Sequence, residues 1–196
     1  MPSSRPNLIG RSRRLPAALA LALVAVSAAP AVAAAKPAYG GTAPQPGGSS
    51  GSGSGLSTTP GEKARLLADG TAQAPASAPD AVKRVIAAGN RIAKLPYRYG
   101  GGHAILNDTG YDCSGSVSYA LRNAGLFRGS ADATGFFVYG QPGPGRWITT
   151  YANGSHMYMV VAGLRFDTSG RSQTGSRWQT QPRSPASFIV RHPPGL

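Results

Sequence analysis

The sequence predicts an α+β domain in which N-terminal helices pack on a small antiparallel sheet. Two helical patterns come first, one over 80–94 and one from Cys113 onward, each marked by apolar residues recurring every three or four positions. After residue 147 the pattern changes to short apolar runs separated by Asn153-Gly154, Gly163 and Ser169-Gly170, which reads as strands joined by tight turns. Helices followed by a run of strands, rather than helices and strands in alternation, is the α+β order.

Each segment has its own signal. Residues 1–35 read as an export signal: Arg5, Arg11, Arg13 and Arg14 form a basic start, an apolar Ala/Leu/Val run follows, and Ala31-Val32-Ala33-Ala34-Ala35 supplies small residues for cleavage. A run of about 20 apolar residues also spans a bilayer, so an uncleaved N-terminal membrane anchor is the alternative. Residues 36–79 read as a disordered linker and an extended lead-in. The Gly-Ser run from Gly47 to Gly55 has too few apolar groups to offset the entropy of ordering. Ala68-Asp69-Gly70-Thr71 can turn a small hairpin within the lead-in.

The domain proper is expected at 80–196, about 117 residues, a normal size for one folding unit. Asp80 or Ser77 is the expected cap of its first helix, and Val82, Val85, Ile86, Ala88 and Ile92 form the apolar side. The second helix starts around Cys113, carries Val117, Ala120, Leu121 and Ala124 at helical spacing, and stops before Gly125. The stretch 127–146, rich in Gly, Pro and aromatics, reads as a shaped loop. Strands are expected at 147–151, 155–162, 164–168 and 187–191, with a polar loop over 169–185.

Charge and cysteine count narrow the function classes. The chain carries +13 at pH 7. Removing the four arginines of the export signal leaves 16 Lys and Arg against 7 acids, about +9. Such a chain attracts polyanions, and export points to anionic wall polymers rather than nucleic acid; a general Arg-rich bias of composition is the alternative, since the charges are scattered and form no basic stripe. With one cysteine no internal disulfide can form, which excludes a disulfide-stapled scaffold. An unpaired thiol in an oxidising compartment needs to be buried or used.

The neighbours of Cys113 supply a use. Tyr111-Asp112-Cys113-Ser114-Gly115 lies immediately before the second helix, so Cys113 falls where unpaired backbone N–H groups and the macrodipole favour a thiolate. His156, after Asn153-Gly154-Ser155, is a proton acceptor and later donor of the kind a cysteine nucleophile needs. Asp167 lies on the strand expected to pair with the His156 strand across Gly163, where a carboxylate can orient the imidazole. Tyr97, in Pro96-Tyr97-Arg98-Tyr99-Gly100-Gly101, offers a hydroxyl that can donate to an oxyanion. Taken singly, each has a plainer alternative: Cys113 as a small buried hydrophobe, His156 as a surface histidine and Asp167 as a solvated strand-end acid. Their combination is what points to catalysis. His103 and His192 do not join Cys113 in a metal-ligating pattern, and no cofactor is expected.

Over about 80–191 this pattern resembles the NlpC family of bacterial cell-wall cysteine peptidases, which share a compact papain-like fold. The resemblance rests on Tyr97 with Gly100 and Gly101, on Asp112-Cys113-Ser114-Gly115, on His156 and on Asp167. The chain departs from the family at Ser155, where Gly usually precedes the His, at Ser116, and at Asp167, where the third residue is often His. The resemblance implies a secreted, monomeric thiol hydrolase acting on the peptidoglycan stem peptide, commonly between D-γ-glutamate and the diamino acid. It gives Cys113 as nucleophile, His156 as base and acid, Asp167 as its orienting partner, Tyr97 at the oxyanion, and Asp112 and Ser114 at the substrate's amino end. His103, following the glycine loop, is expected to line the groove. An amidase or acyltransferase on the same scaffold, and a non-catalytic protein that binds the wall or a polyanion, are the alternatives.

Overall fold

The structure, a computed structural model, describes the backbone of Thr58–Thr59 and residues 61–196, all within the unit Ser50–Leu196. The stretch read as an export signal or membrane anchor and the Gly-Ser run read as a linker lie outside the described residues. Among the described residues no helix is long and apolar enough to cross a membrane.

The fold is α+β. In chain order the elements are β1 (Thr58–Thr59), β2 (Arg65–Leu66), β3 (Ala72–Pro75), α1 (Asp80–Ile92), α2 (Cys113–Asn123), a 3-10 turn (Thr134–Val138), β4 (Gln141–Pro142), β5 (Ile148–Ala152), β6 (Met157–Val161), β7 (Leu164–Phe166), a second 3-10 turn (Thr168–Gly170), the single-turn α3 (Arg171–Thr174), β8 (Trp178–Gln179) and β9 (Ile189–His192). The main sheet has six strands in the order β4-β9-β5-β6-β7-β8, every neighbouring pair antiparallel.

The hairpin read from Asp69-Gly70 forms between β2 and β3. Asp69 Oδ1 accepts from the Thr71 N–H and hydroxyl, and Gly70 sits at φ +80°, where a side chain would be strained. The lead-in is packed: Ala72, Ala74 and Ala78 are buried in the common core, and the Asn90 amide exchanges two 2.8 Å hydrogen bonds with the backbone of Ala72. The core therefore begins before Asp80.

Helix α1 buries Val82, Val85, Ile86 and Ile92, each contributing roughly 2 kcal/mol. Gly89 is obligatory on that face, since a Cβ there would lie 2.6 Å from the Trp178 indole. Neither expected cap is used. Pro79 occupies the N-cap, Asp80 is the first helical residue, and the Ser77 hydroxyl donates to Gly61 O instead. Pro79 suits the boundary because its extended backbone (ψ 151°) leaves its carbonyl free for Val82 and Lys83.

Helix α2 packs against α1 and β6. Along the sheet Ile148, Thr150 and Ala152, then Met157, Met159 and Val161, then Leu164 and Phe166 alternate inward, as a period of two requires. Two strands lie in stretches read as loops: β4 within 127–146 and β8 within 169–185. Each is two residues long, too short to show alternation.

Candidate active site

Asp112 builds the start of α2. Its extended backbone makes it the N-cap, and its Oδ1 accepts the Gly115 N–H at 2.7 Å. Cys113 is thus the first helical residue, half-buried, with its thiol at the positive end of the helix. The same carboxylate accepts from Gly100 N–H (3.1 Å) through Oδ2, from the Ser114 hydroxyl (3.3 Å), and contacts His103 Nε2 at 3.0 Å through both oxygens. Asp112 therefore caps the helix and ties down the glycine loop together.

The loop and helix touch too closely for side chains. Gly115 packs on the Gly101 carbonyl, and Asp112 N–H donates to that carbonyl at 3.2 Å. Gly102, at φ +84°, lies on the Tyr111 ring. The glycines read in the motif are there because two backbones meet.

His156 stands one residue before β6, on the turn 153–156. Asn153 Oδ1 accepts the N–H groups of Ser155 (3.0 Å) and His156 (2.9 Å), and Asn153 N–H donates to His156 O. Antiparallel pairing of β6 with β7 runs Met159 to Phe166. One step further brings Asp167 opposite Tyr158 and diagonal to His156, within reach of an imidazole. His156 Nε2 meets Asp167 Oδ1 at 3.0 Å. Asp167 is not on the strand as expected: β7 ends at Phe166, and Asp167 caps the following 3-10 turn by accepting the Ser169 N–H at 2.9 Å. It is 1% exposed.

The charges are interlocked. Burial pushes the Cys113 thiol up, but hydrogen bonds from His156 and the Met157 N–H, with the His156 charge, outweigh it and leave the pKa below 9.0. Burial pulls His156 down, yet hydrogen bonds to Asp167 and Cys113 and both their charges raise it to about 9. Burial also opposes ionisation of Asp167, and the hydrogen bonds from His156 and Ser169 overcome this, holding it at about 2. Since Nε2 faces Asp167, Nδ1 is the nitrogen left for Cys113. Both shifts act toward the thiolate–imidazolium form.

Tyr97 and Cys113 line a single hollow of about 390 Å³, together with His103, Asp112 and Ser114. All residues singled out from the sequence thus converge: His156 and Asp167 on one side of the thiol, the other five around the hollow. Tyr97 is 56% exposed, and its phenol is held above the usual range by partial burial and by the charges of Cys113, Asp112 and Tyr99. Among the described residues no group of three or more His, Cys, Asp or Glu could hold a metal ion.

Several residues near the thiol were given no site role from the sequence. Tyr99, Asp132, Thr134 and Ser155 also line the hollow. Asp132 carried a usable signal, since Asp132-x-Thr134-Gly135 is a capping pattern, and its carboxylate does accept from Gly135 N–H at 2.8 Å. Arg183 Nη1 reaches Asp167 Oδ2 at 3.1 Å and Arg165 Nε lies 3.6 Å from it. Arg177 is fully buried and donates to the carbonyls of Ile92, Leu95, Pro96 and Tyr111 at 2.6–3.2 Å, while its own carbonyl accepts the Asp167 N–H. One residue so joins these segments, through its side chain to those that lead to Tyr97 and Cys113 and through its carbonyl to Asp167. Burial lowers its pKa to about 10, and its charge is set against the C-terminal carbonyls of α1. No family model matches this chain and no curated protein matches it, so its own geometry is what speaks for its chemistry.

Proposed function

We propose that the chain is an exported cysteine peptidase that hydrolyses an amide bond in the peptidoglycan stem peptide. The observation that carries this reading is Cys113 at the first residue of α2, electrostatically coupled to a His156 that a buried Asp167 holds at 3.0 Å. A nucleophile, a base oriented by a third group and an adjacent hollow form a working set for acyl transfer.

The thiolate of Cys113 attacks the substrate carbonyl, breaking the C=O π bond and placing the charge on oxygen. The backbone N–H of Cys113, unpaired at the helix start, and the Tyr97 hydroxyl are the donors for that oxyanion. The His156 imidazolium gives its proton to the departing amine as the C–N bond breaks, leaving a thioester. Neutral His156 then takes a proton from water, which attacks the thioester and releases Cys113. Asp167 stays ionised throughout and stabilises the imidazolium.

The substrate class rests on the NlpC-like motif around Cys113, on the export signal and on a basic chain suited to an anionic wall. Digestion of purified peptidoglycan with mass analysis of the fragments tests it. Products with a new D-γ-glutamyl carboxylate and a new diamino-acid amine are expected. Release of intact stem peptides from the sugar would mean an amidase instead.

A further inference from the structure

We propose that the hollow between the outer face of the main sheet and the 180–185 segment binds a phosphate group. It measures about 190 Å³ and is lined by Tyr151, Tyr158, Arg165, Thr180, Gln181 and Arg183. Strand register assembles its base: Tyr151 pairs with Tyr158 and Val160 with Arg165, so these side chains share the sheet face turned away from the core.

The charges there do not balance. Asp167 is the one carboxylate, among the described residues, in ion-pair reach of Arg165 and Arg183, and it also serves His156. Two guanidinium groups therefore share one acid. Arg165 is the less satisfied. Its Nε is buried with no hydrogen-bond partner, and its terminal nitrogens meet no acceptor among the described residues. Arg183 is fixed in place: Nη1 donates to Asp167 Oδ2 and Ser169 Oγ, and its guanidinium lies 5.7 Å from the ring centres of both Tyr158 and Phe188. The second edge of a fork so held is ready for another acceptor.

The residues that line the hollow come from two sides, the sheet and the segment over it. Arg165 lines it from the sheet, and Thr180, Gln181 and Arg183, each with a side chain able to donate, line it from the segment over it. A tetrahedral oxyanion uses donors so spread better than a planar carboxylate does. A singly charged phosphate also matches the single excess positive charge. The group can arrive as free phosphate or as a phosphodiester of an anionic polymer.

An NMR titration of backbone amides in the full chain, at fixed ionic strength in sodium chloride, tests this. One arm uses inorganic phosphate and the other an oligo(glycerol phosphate). The site predicts saturable shifts confined to 158–165 and 180–183, weakened at least tenfold in Arg165→Gln. Gln181→Glu places a carboxylate at an exposed position on the rim and is expected to weaken binding by a similar factor without disturbing the fold. Saturation by phosphate assigns the free anion, and saturation by the oligomer alone assigns the polymer. Shifts that never saturate in either arm, that spread over other basic surfaces, or that persist unchanged in Gln181→Glu overturn the proposal. Peptidase activity plays no part in these readings, so the site and the proposed function stand or fall separately.

Discussion

Cys113 owes its character to groups that contact it. Burial alone would raise its pKa, and the lowered value depends on His156 and the Met157 N–H. The pH at which alkylation by iodoacetamide reaches half its maximal rate is therefore expected below 9.0 in the native chain and higher in His156→Ala. An unchanged midpoint in that variant would sever the proposed pair. His156, raised to about 9, keeps its proton up to that pH, so kcat/KM should hold between the Cys113 midpoint and about pH 9 and then fall. The stability signs follow from the same shifts. His156 is raised above its ordinary 6.5, so its contribution is complete below 6.5 and is lost as pH rises through about 9. Asp167 is depressed, so its contribution is complete above 3.8 and is lost as pH falls through about 2. Asp167→Asn should lower kcat by roughly 10²- to 10⁴-fold, since the amide cannot stabilise the imidazolium. Retained kcat in that variant would show that His156 does not need its partner.

At the scale of elements, the start of α2 and the glycine loop form one unit clamped by Asp112. Gly115→Ala would push a methyl group into the Gly101 carbonyl, a backbone atom that cannot swing aside. A loss of about 1–3 kcal/mol is expected, read in urea unfolding, and the displaced loop should carry Tyr97 away and lower kcat as well. The glycine loop and the helix-start thiol were legible in the sequence because each lies in a short local motif, but the clamp was not: Asp112 was expected at the substrate's amino end, and its bonds to Gly100 and Gly115 exist only once the two segments meet. The hairpin β6–β7 was legible for a similar reason, as Gly163 sets its turn and the turn sets the register that brings His156 to Asp167. The short strands β4 and β8 were not, because two residues bonded to distant partners leave no periodic trace. Nor was the N-cap of α1, where Ser77 finds the carbonyl of Gly61 from 16 positions away.

At the scale of the described domain, one buried residue holds the segments of the candidate site together. Arg177 sits beside Trp178 in a polar stretch, and no pattern distinguishes it in sequence from the other arginines. Its partners lie 66–85 positions away and exist only in the folded chain. Arg177→Met removes the donors from four carbonyls and should cost about 3–5 kcal/mol. A drop in Tm of about 10–15 °C follows for a domain of this size. A drop of under 2 °C would show that these carbonyls find other partners. The same placement explains why the candidate site could be named from sequence while its frame could not: reactive side chains sit in local motifs, and their support comes from the far end of the chain.

The central claim is that Cys113 cleaves the wall. Its most direct test is the rate at which stem-peptide fragments leave purified peptidoglycan, followed by mass spectrometry, for the native chain and for Cys113→Ala. The thiolate–imidazolium pair predicts fragments from the native chain and none above background from the variant. Equal release from both, or no release from the native chain, would contradict it.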